Sequence, residues 1–104
     1  MAEVVAFSRE CSVADDSGNI KNLEVCFYLP VFDEENGFYT TYANVECPFF
    51  QYNVRSFGTD AAQAFLALPH AVTSYLIGKR QFGYEVWWLE KGDLDYTNFW
   101  TYSK

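Results

Sequence analysis

Two early segments of the chain alternate between apolar and polar residues, and this alternation most constrains the fold. The odd positions of residues 3–13 hold Val5, Phe7, Arg9, Cys11 and Val13, and those of residues 20–29 hold Leu23, Val25, Phe27 and Leu29. A period of two residues is typical of a strand with one buried face. Residues 15–19 lie between the segments and include Gly18, which suits the left-handed position of a tight turn. The pattern predicts an antiparallel hairpin.

The register of this hairpin follows from parity. Both apolar faces lie on odd positions, so the numbers of directly opposed residues must have an even sum if both faces share one core. A loop of residues 16–18 meets this condition and places Phe7 opposite Phe27. The register that pairs Cys11 with Cys26 would put the apolar faces on opposite sides of the sheet. We therefore predict free thiols rather than a cross-strand disulfide.

Four further strands are predicted from shorter patterns. Pro30 ends the second strand because it removes a ladder donor, and a charged loop follows at residues 33–37. The third strand is predicted over residues 38–47 and the fourth over 50–55, with Phe50, Tyr52 and Val54 on its inner face. Residues 84–90 and 96–102 are predicted to form the last two strands.

The period changes from 2 to 3.6 residues after Gly58, which predicts a helix. Thr59 is the expected N-cap, and Asp60 in the first turn favours the positive end of the helix dipole. Pro69 is expected to kink the helix and Gly78 to end it. One apolar stripe is formed by Ala61, Ala64, Phe65, Leu68, Val72, Tyr75 and Leu76.

These elements predict one α+β domain over residues 1–104. We expect an antiparallel sheet of about five or six strands with one kinked helix packed on one face, in the order β-β-β-β-α-β-β. The length of 104 residues leaves no room for a second core, and an aromatic content of 20% excludes a disordered chain. We predict no membrane span, because no apolar run approaches the ~20 residues that a span needs. Residues 1–4 carry no predicted secretion signal.

Residues 58–68, from Gly58 to Leu68, resemble a signature of a family of small uncharacterised bacterial domains. That signature has the pattern Gly-x-Asp-Ser-x-Gln-Ala-Leu-x-x-Ala-Leu. Similar domains carry an aromatic pair like Trp87-Trp88 after the helix and a Cys-containing strand like residues 47–50 before it. Ala61 replaces the usual Ser, and Pro69 interrupts a helix that is normally longer. The resemblance implies a bacterial origin and this α+β fold, and no activity.

The net negative charge of the chain comes entirely from its first half. The formal charge of the whole chain is −7, and residues 1–52 hold nine acids and two bases, whereas residues 53–104 hold five of each. This acidity argues against binding to nucleic-acid phosphates. A one-sided negative field can steer a basic partner, although acidic residues also serve solubility alone.

Few residues indicate chemistry. His70 follows Pro69 on the expected outer or flanking side of the helix and has no partner at zinc-ligand spacing. Cys11, Cys26 and Cys47 lie on predicted strands, not at a helix N-terminus that would stabilise a thiolate. The three cysteines without Cys-x-x-Cys spacing indicate reduced thiols in the cytoplasm. We predict no metal and no cofactor.

The chain has twenty-one aromatic residues, more than one sheet face and one helix can bury, and many are tyrosines suited to interfaces. The densest acidic cluster, on the loop at residues 33–37, is next to two of these tyrosines. The predicted partner-binding residues are Asp33, Glu34, Glu35, Tyr39 and Tyr42.

The predicted function is a non-enzymatic bacterial binding protein, in concrete form an immunity-type stoichiometric inhibitor. It would present an acidic, aromatic surface to a basic protein partner, with no nucleic acid and no membrane. Two alternatives stay open: a self-associating accessory domain that forms a homodimer, and a small enzyme that uses His70.

Overall fold

The computed structural model describes residues 4–93 of the chain. Its elements, in chain order, are β1 (Val5–Ala14), β2 (Ile20–Tyr28), β3 (Val31–Asp33), β4 (Phe38–Glu46), β5 (Gln51–Gly58), α1 (Ala61–Lys79), a 3₁₀ turn (Arg80–Phe82) and β6 (Glu85–Trp87). All of the strand pairs are antiparallel. The α+β class is confirmed: a six-stranded antiparallel sheet carries one helix packed on it.

The first hairpin has the register that parity predicts. Phe7 lies directly opposite Phe27. At the turn, the N–H of Asp15 donates to the carbonyl of Asn19 over 3.1 Å, and Gly18 has a φ of 84°. All three cysteines are free thiols, as predicted.

Strand β4 lies inside the sheet and is bonded on both sides. One side pairs with β5 along nearly the whole strand, and the other side pairs with β2 over residues 43–46 and with β3 over residues 38–40. On its other side β2 pairs with β1, and β6 pairs with the far side of β1. The first five strands therefore form a meander, and the chain crosses the sheet through α1 before it adds β6 at the opposite edge.

The short strand β3 was not predicted. Between the paired residues Phe27–Ala43 and Val31–Thr40, the β2–β3 side has one residue more than β4, so the register shifts at Leu29 and Pro30. This is the geometry of a β-bulge, which tolerates proline and bends the strand. Buried Thr41 supports the bend, because its hydroxyl donates to the carbonyl of Tyr28 over 2.6 Å. Pro30 thus interrupts the strand without ending the pairing.

The helix ends differ from the prediction. The N-cap is Asp60, not Thr59, because the Asp60 carboxylate accepts the N–H of Gln63 over 2.8 Å. The Gln63 side chain reaches back and accepts from both the N–H and the hydroxyl of Thr59, at 2.7 and 2.9 Å. Helix α1 continues beyond Gly78 to Lys79. The residue with left-handed backbone geometry after the helix is Gly83, where φ is 90°. The predicted strand over residues 96–102 lies outside the described residues.

The core lies between the inner stripe of α1 and the inward side chains of the sheet, which are odd-numbered on β1, β2 and β4 and even-numbered on β5. Helix α1 packs chiefly on β4 and β5, and Phe65 of the helix meets the stacked rings of Phe7 and Phe27. Burial of each large apolar side chain stabilises the fold by about 1.5–3 kcal/mol. The largest fully buried side chains are Phe27, Leu23, Leu68, Leu76, Val13, Val25, Val45, Val72 and Cys11.

Gly58 sets how closely β5 and α1 approach. A Cβ at this position would lie 2.5 Å from the backbone nitrogen of Ala64, whereas a Cβ on Gly78 would meet nothing within 4 Å. We expect Gly58→Ala to lower the free energy of unfolding by about 1–3 kcal/mol, because the helix start must shift. Gly78→Ala is the matched control and should raise it by about 0.5–1 kcal/mol. Denaturant unfolding measures both, and equal stability of the two variants would contradict this packing.

Candidate protein-binding site

The acidic loop forms the turn that joins β3 to β4; we call residues 33–37 the tip. Asp33 organises this turn, because one carboxylate oxygen accepts the N–H groups of Glu35 and Asn36 at 3.1 and 3.2 Å. The other oxygen accepts the Asn36 side-chain amide at 2.9 Å. These bonds, that of the Asn36 side chain above all, hold the pKa of Asp33 below its ordinary value. Asp33 is therefore engaged in the turn, whereas Glu34 and Glu35 are exposed.

A shallow groove of about 600 Å³ lies beside the tip. It combines apolar and acidic side chains, and its lining consists of Val31, Phe32, Asp33, Glu34, Glu35 and Thr40. The three predicted acids therefore share one concave surface with the strand that sequence reasoning missed. A surface of this kind can take a cationic side chain with an aliphatic stem, because the stem packs on the apolar wall and the charge meets a carboxylate.

The two predicted tyrosines lie on opposite faces of the sheet. Tyr39 is on the helix side of the sheet and packs edge-on against Phe32, with 5.1 Å between ring centroids. Tyr42 is an odd number of residues further along β4 and so faces the other way. It stacks on Tyr28 at 4.3 Å, and the Arg55 guanidinium lies 5.4 Å from its ring. Tyr39 contacts the groove residue Phe32, and Tyr42 faces the other side of the sheet, so the five predicted residues do not share one face.

Several apolar side chains on β3, just before it and on β5 are exposed. Phe57 is 57% exposed, Leu29 48%, Phe32 46% and Val31 37%. If Pro30 is interpreted as the end of a strand, Val31 and Phe32 are not recognised as strand residues. The signal that identifies them is their apolar type directly after a proline at a sheet edge, where exposure is costly unless a partner covers it.

The groups considered for chemistry are the imidazole of His70 and the three thiols. His70 is exposed on α1, and Cys11 is buried on β1. Burial raises the pKa of Cys11 to about 12 despite the positive charge of Arg9, and burial also raises the pKa of Cys26. Residues 4–93 contain no cluster of His, Cys, Asp and Glu that could hold a metal ion.

No family model, curated protein or solved structure matches this chain. The resemblance to a bacterial helix-start signature stays a prediction. Three of the quoted positions have physical roles in the structure: Gly58 allows close approach of the helix, Asp60 caps it, and Gln63 bonds Thr59. Among residues 4–93, the structure contains no helix with both the length and the apolar character of a membrane span.

The thiol chemistry gives a direct check of the core. In a Cys26→Ser, Cys47→Ser variant, Cys11 should react with a maleimide far more slowly in the native protein at pH 8 than in urea, because little thiolate is present. The pKa of Cys11 in the folded protein lies above its ordinary value of 9.0. The contribution of this thiol to the free energy of unfolding is therefore complete below pH 9.0. It is lost as the pH rises toward the folded pKa. Equal rates in native buffer and urea would place Cys11 on the surface.

Proposed function

We propose that this chain is a non-enzymatic bacterial binding protein whose acidic tip contacts a basic protein partner. The groove carries the proposal, because the exposed carboxylates of Glu34 and Glu35 border the apolar side chains of Val31 and Phe32. A lysine or arginine of the partner would place its stem on Phe32 and its charge at a carboxylate. Tyr39, packed on Phe32, provides an aromatic anchor beside the groove.

In its most concrete form, the protein is an immunity-type inhibitor that binds a basic toxin or effector one to one. The acidic first half supports this form, since a one-sided field raises the association rate of a basic partner. The three free thiols support a cytoplasmic location, where cysteines stay reduced.

The tip is tested by neutralising Glu34→Gln and Glu35→Gln together, leaving Asp33 to hold the turn. The control is Asp16→Asn with Glu90→Gln, which removes the same charge at exposed positions outside the tip. We expect the tip variant to bind a captured, purified basic partner about five- to tenfold more slowly at low salt. Its rate should also depend less on salt, whereas the control behaves like the wild type in stopped-flow measurements.

Equal association rates for the tip and control variants would contradict the proposed site. A one-to-one complex that leaves the partner's activity intact would contradict the inhibitor form alone. Both variants should unfold at the wild-type denaturant concentration, because exposed carboxylates contribute little to stability.

Self-association is the second candidate function, and the exposed apolar group on β3, just before it and on β5 favours it. Phe57 of β5 is its most exposed member, and β5 pairs with β4 alone among the strands of residues 4–93, as an edge strand does. If the chain forms a dimer through this edge, sedimentation velocity should show a two-chain species that Phe57→Ser reduces to a monomer. A monomer at all concentrations up to the millimolar range would exclude this candidate.

A further inference from the structure

The backbone of β5 directs alternate residues away from β4. In the turn before β5, the N–H of Cys47 donates to the carbonyl of Phe50 over 3.0 Å, so these two residues form a hydrogen-bonded pair. Bonded and non-bonded pairs alternate along an antiparallel ladder. The next pair, Glu46 and Gln51, is therefore non-bonded, and the even-numbered residues of β5 bond to β4. The odd-numbered residues direct their N–H and C=O groups to the outer edge; we call them the outward residues, Gln51, Asn53, Arg55 and Phe57.

The edge formed by β5 lacks the features that usually protect a sheet edge. Natural edge strands are commonly very short, bulged, or interrupted by proline or lysine. Strand β5 pairs with β4 along its whole length in one register, and the segment Gln51–Gly58 contains no proline, no lysine and no acid. At the other side of the sheet, β6 has only three residues. The long edge of β5 is therefore where another strand can extend the sheet.

Two copies of β5 can pair in an antiparallel arrangement in only a few registers. Each outward residue must oppose an outward residue of the other copy, so the two residue numbers have an even sum. A sum of 108 opposes Gln51 with Phe57 and Asn53 with Arg55. All the outward residues of both copies then form pairs that exchange two hydrogen bonds each. Sums of 106 and 110 leave one outward residue of each copy without an opposed residue.

The charge of β5 favours the same register. Arg55 is the only charged residue of the strand, and a sum of 110 would oppose it with the other copy's Arg55, which is destabilising. A sum of 108 opposes it with the other copy's Asn53, whose side-chain carbonyl can accept a hydrogen bond from the guanidinium. A two-fold axis repeats this pair, since residue i then meets j and j meets i. The edge is therefore complementary to itself, which favours a second copy as its occupant.

We propose that two copies of this chain pair through the outer edge of β5, in the antiparallel register that opposes Val54 with Val54. The two sheets then form one continuous sheet, with a two-fold axis at Val54. Opposed residues share a face, so both α1 helices lie on the same side of this sheet. The proposal rests on self-association, the second candidate function, and specifies its partner, strand and register.

The edge is tested by Asn53→Pro, which removes an outward N–H and leaves the bonds of β5 to β4 in place. Asn53→Ala is the matched control, because it keeps this N–H. In sedimentation velocity, the wild type and Asn53→Ala should form a species of twice the 12.0 kDa chain mass. We expect Asn53→Pro to weaken dimerisation at least about tenfold, since the two-fold axis repeats the loss. Denaturant unfolding checks that both variants fold.

The register is tested by single cysteines in a Cys26→Ser, Cys47→Ser background. In the proposed register, Val54→Cys lies opposite itself in a non-bonded pair with about 4.5 Å between Cα atoms, which suits a disulfide. Asn53→Cys and Arg55→Cys are the controls, because each opposes itself only in a register of sum 106 or 110. In the proposed register they are diagonal neighbours, about 7–8 Å from their copies. Under mild oxidation, Val54→Cys should form linked dimers at least about tenfold faster than either control.

Three results would overturn the proposal, and they separate it from the candidate function beneath it. Fastest linking by Asn53→Cys or Arg55→Cys would replace the register and leave self-association standing. Unchanged dimerisation of a folded Asn53→Pro protein would place the interface away from β5. A wild-type chain that stays monomeric up to the millimolar range would remove both the proposal and self-association.

Discussion

The packing of one stripe of α1 against the inward-facing side chains of β4 and β5 is the contact on which the rest of this structure depends. Gly58 permits it, because its missing Cβ lets the start of α1 pass close to the end of β5. Once alternate residues of a strand are buried under α1, the residues between them must face the other way. That division places Glu10, Glu24 and Glu46 at exposed positions on the other face, and it places Tyr39 and Tyr42 on different faces.

Parity explains why the central fold could be predicted. The register of β1 and β2 follows from two apolar faces and one short turn, all read from local sequence. Strand β3 could not be predicted because proline usually ends a strand. Here Pro30 falls in a bulge, and the hydroxyl of Thr41, distant in sequence, satisfies the Tyr28 carbonyl. The predicted end of α1 was also wrong, since both Gly78 and Gly83 suit a helix end and the structure has its left-handed residue at Gly83.

In the candidate sites, too, some features could be predicted from residues close in sequence, whereas others depend on strand pairing between distant segments. Clustering of the acids at the tip is visible in the sequence, but the apolar wall of the groove depends on the pairing of β3 with β4. The inner face of β5 was predicted from the alternation of residues 50–55. The direction of its backbone groups required the bonding pattern between β4 and β5, which alternation alone does not specify.

The extra residue at Leu29 and Pro30 also separates the direction in which the tip points from the chemistry of the tip. A second irregularity lies at the same level, between Val5 and Phe7 of β1, so two neighbouring strands bend where the body of the sheet ends. Loss of one codon at residues 29–30 would straighten β2 into β3 while Val31 still met Thr40 and the tip kept its composition. The direction in which the tip points is thus encoded apart from its chemistry, and evolution can re-aim this surface without altering a contact residue.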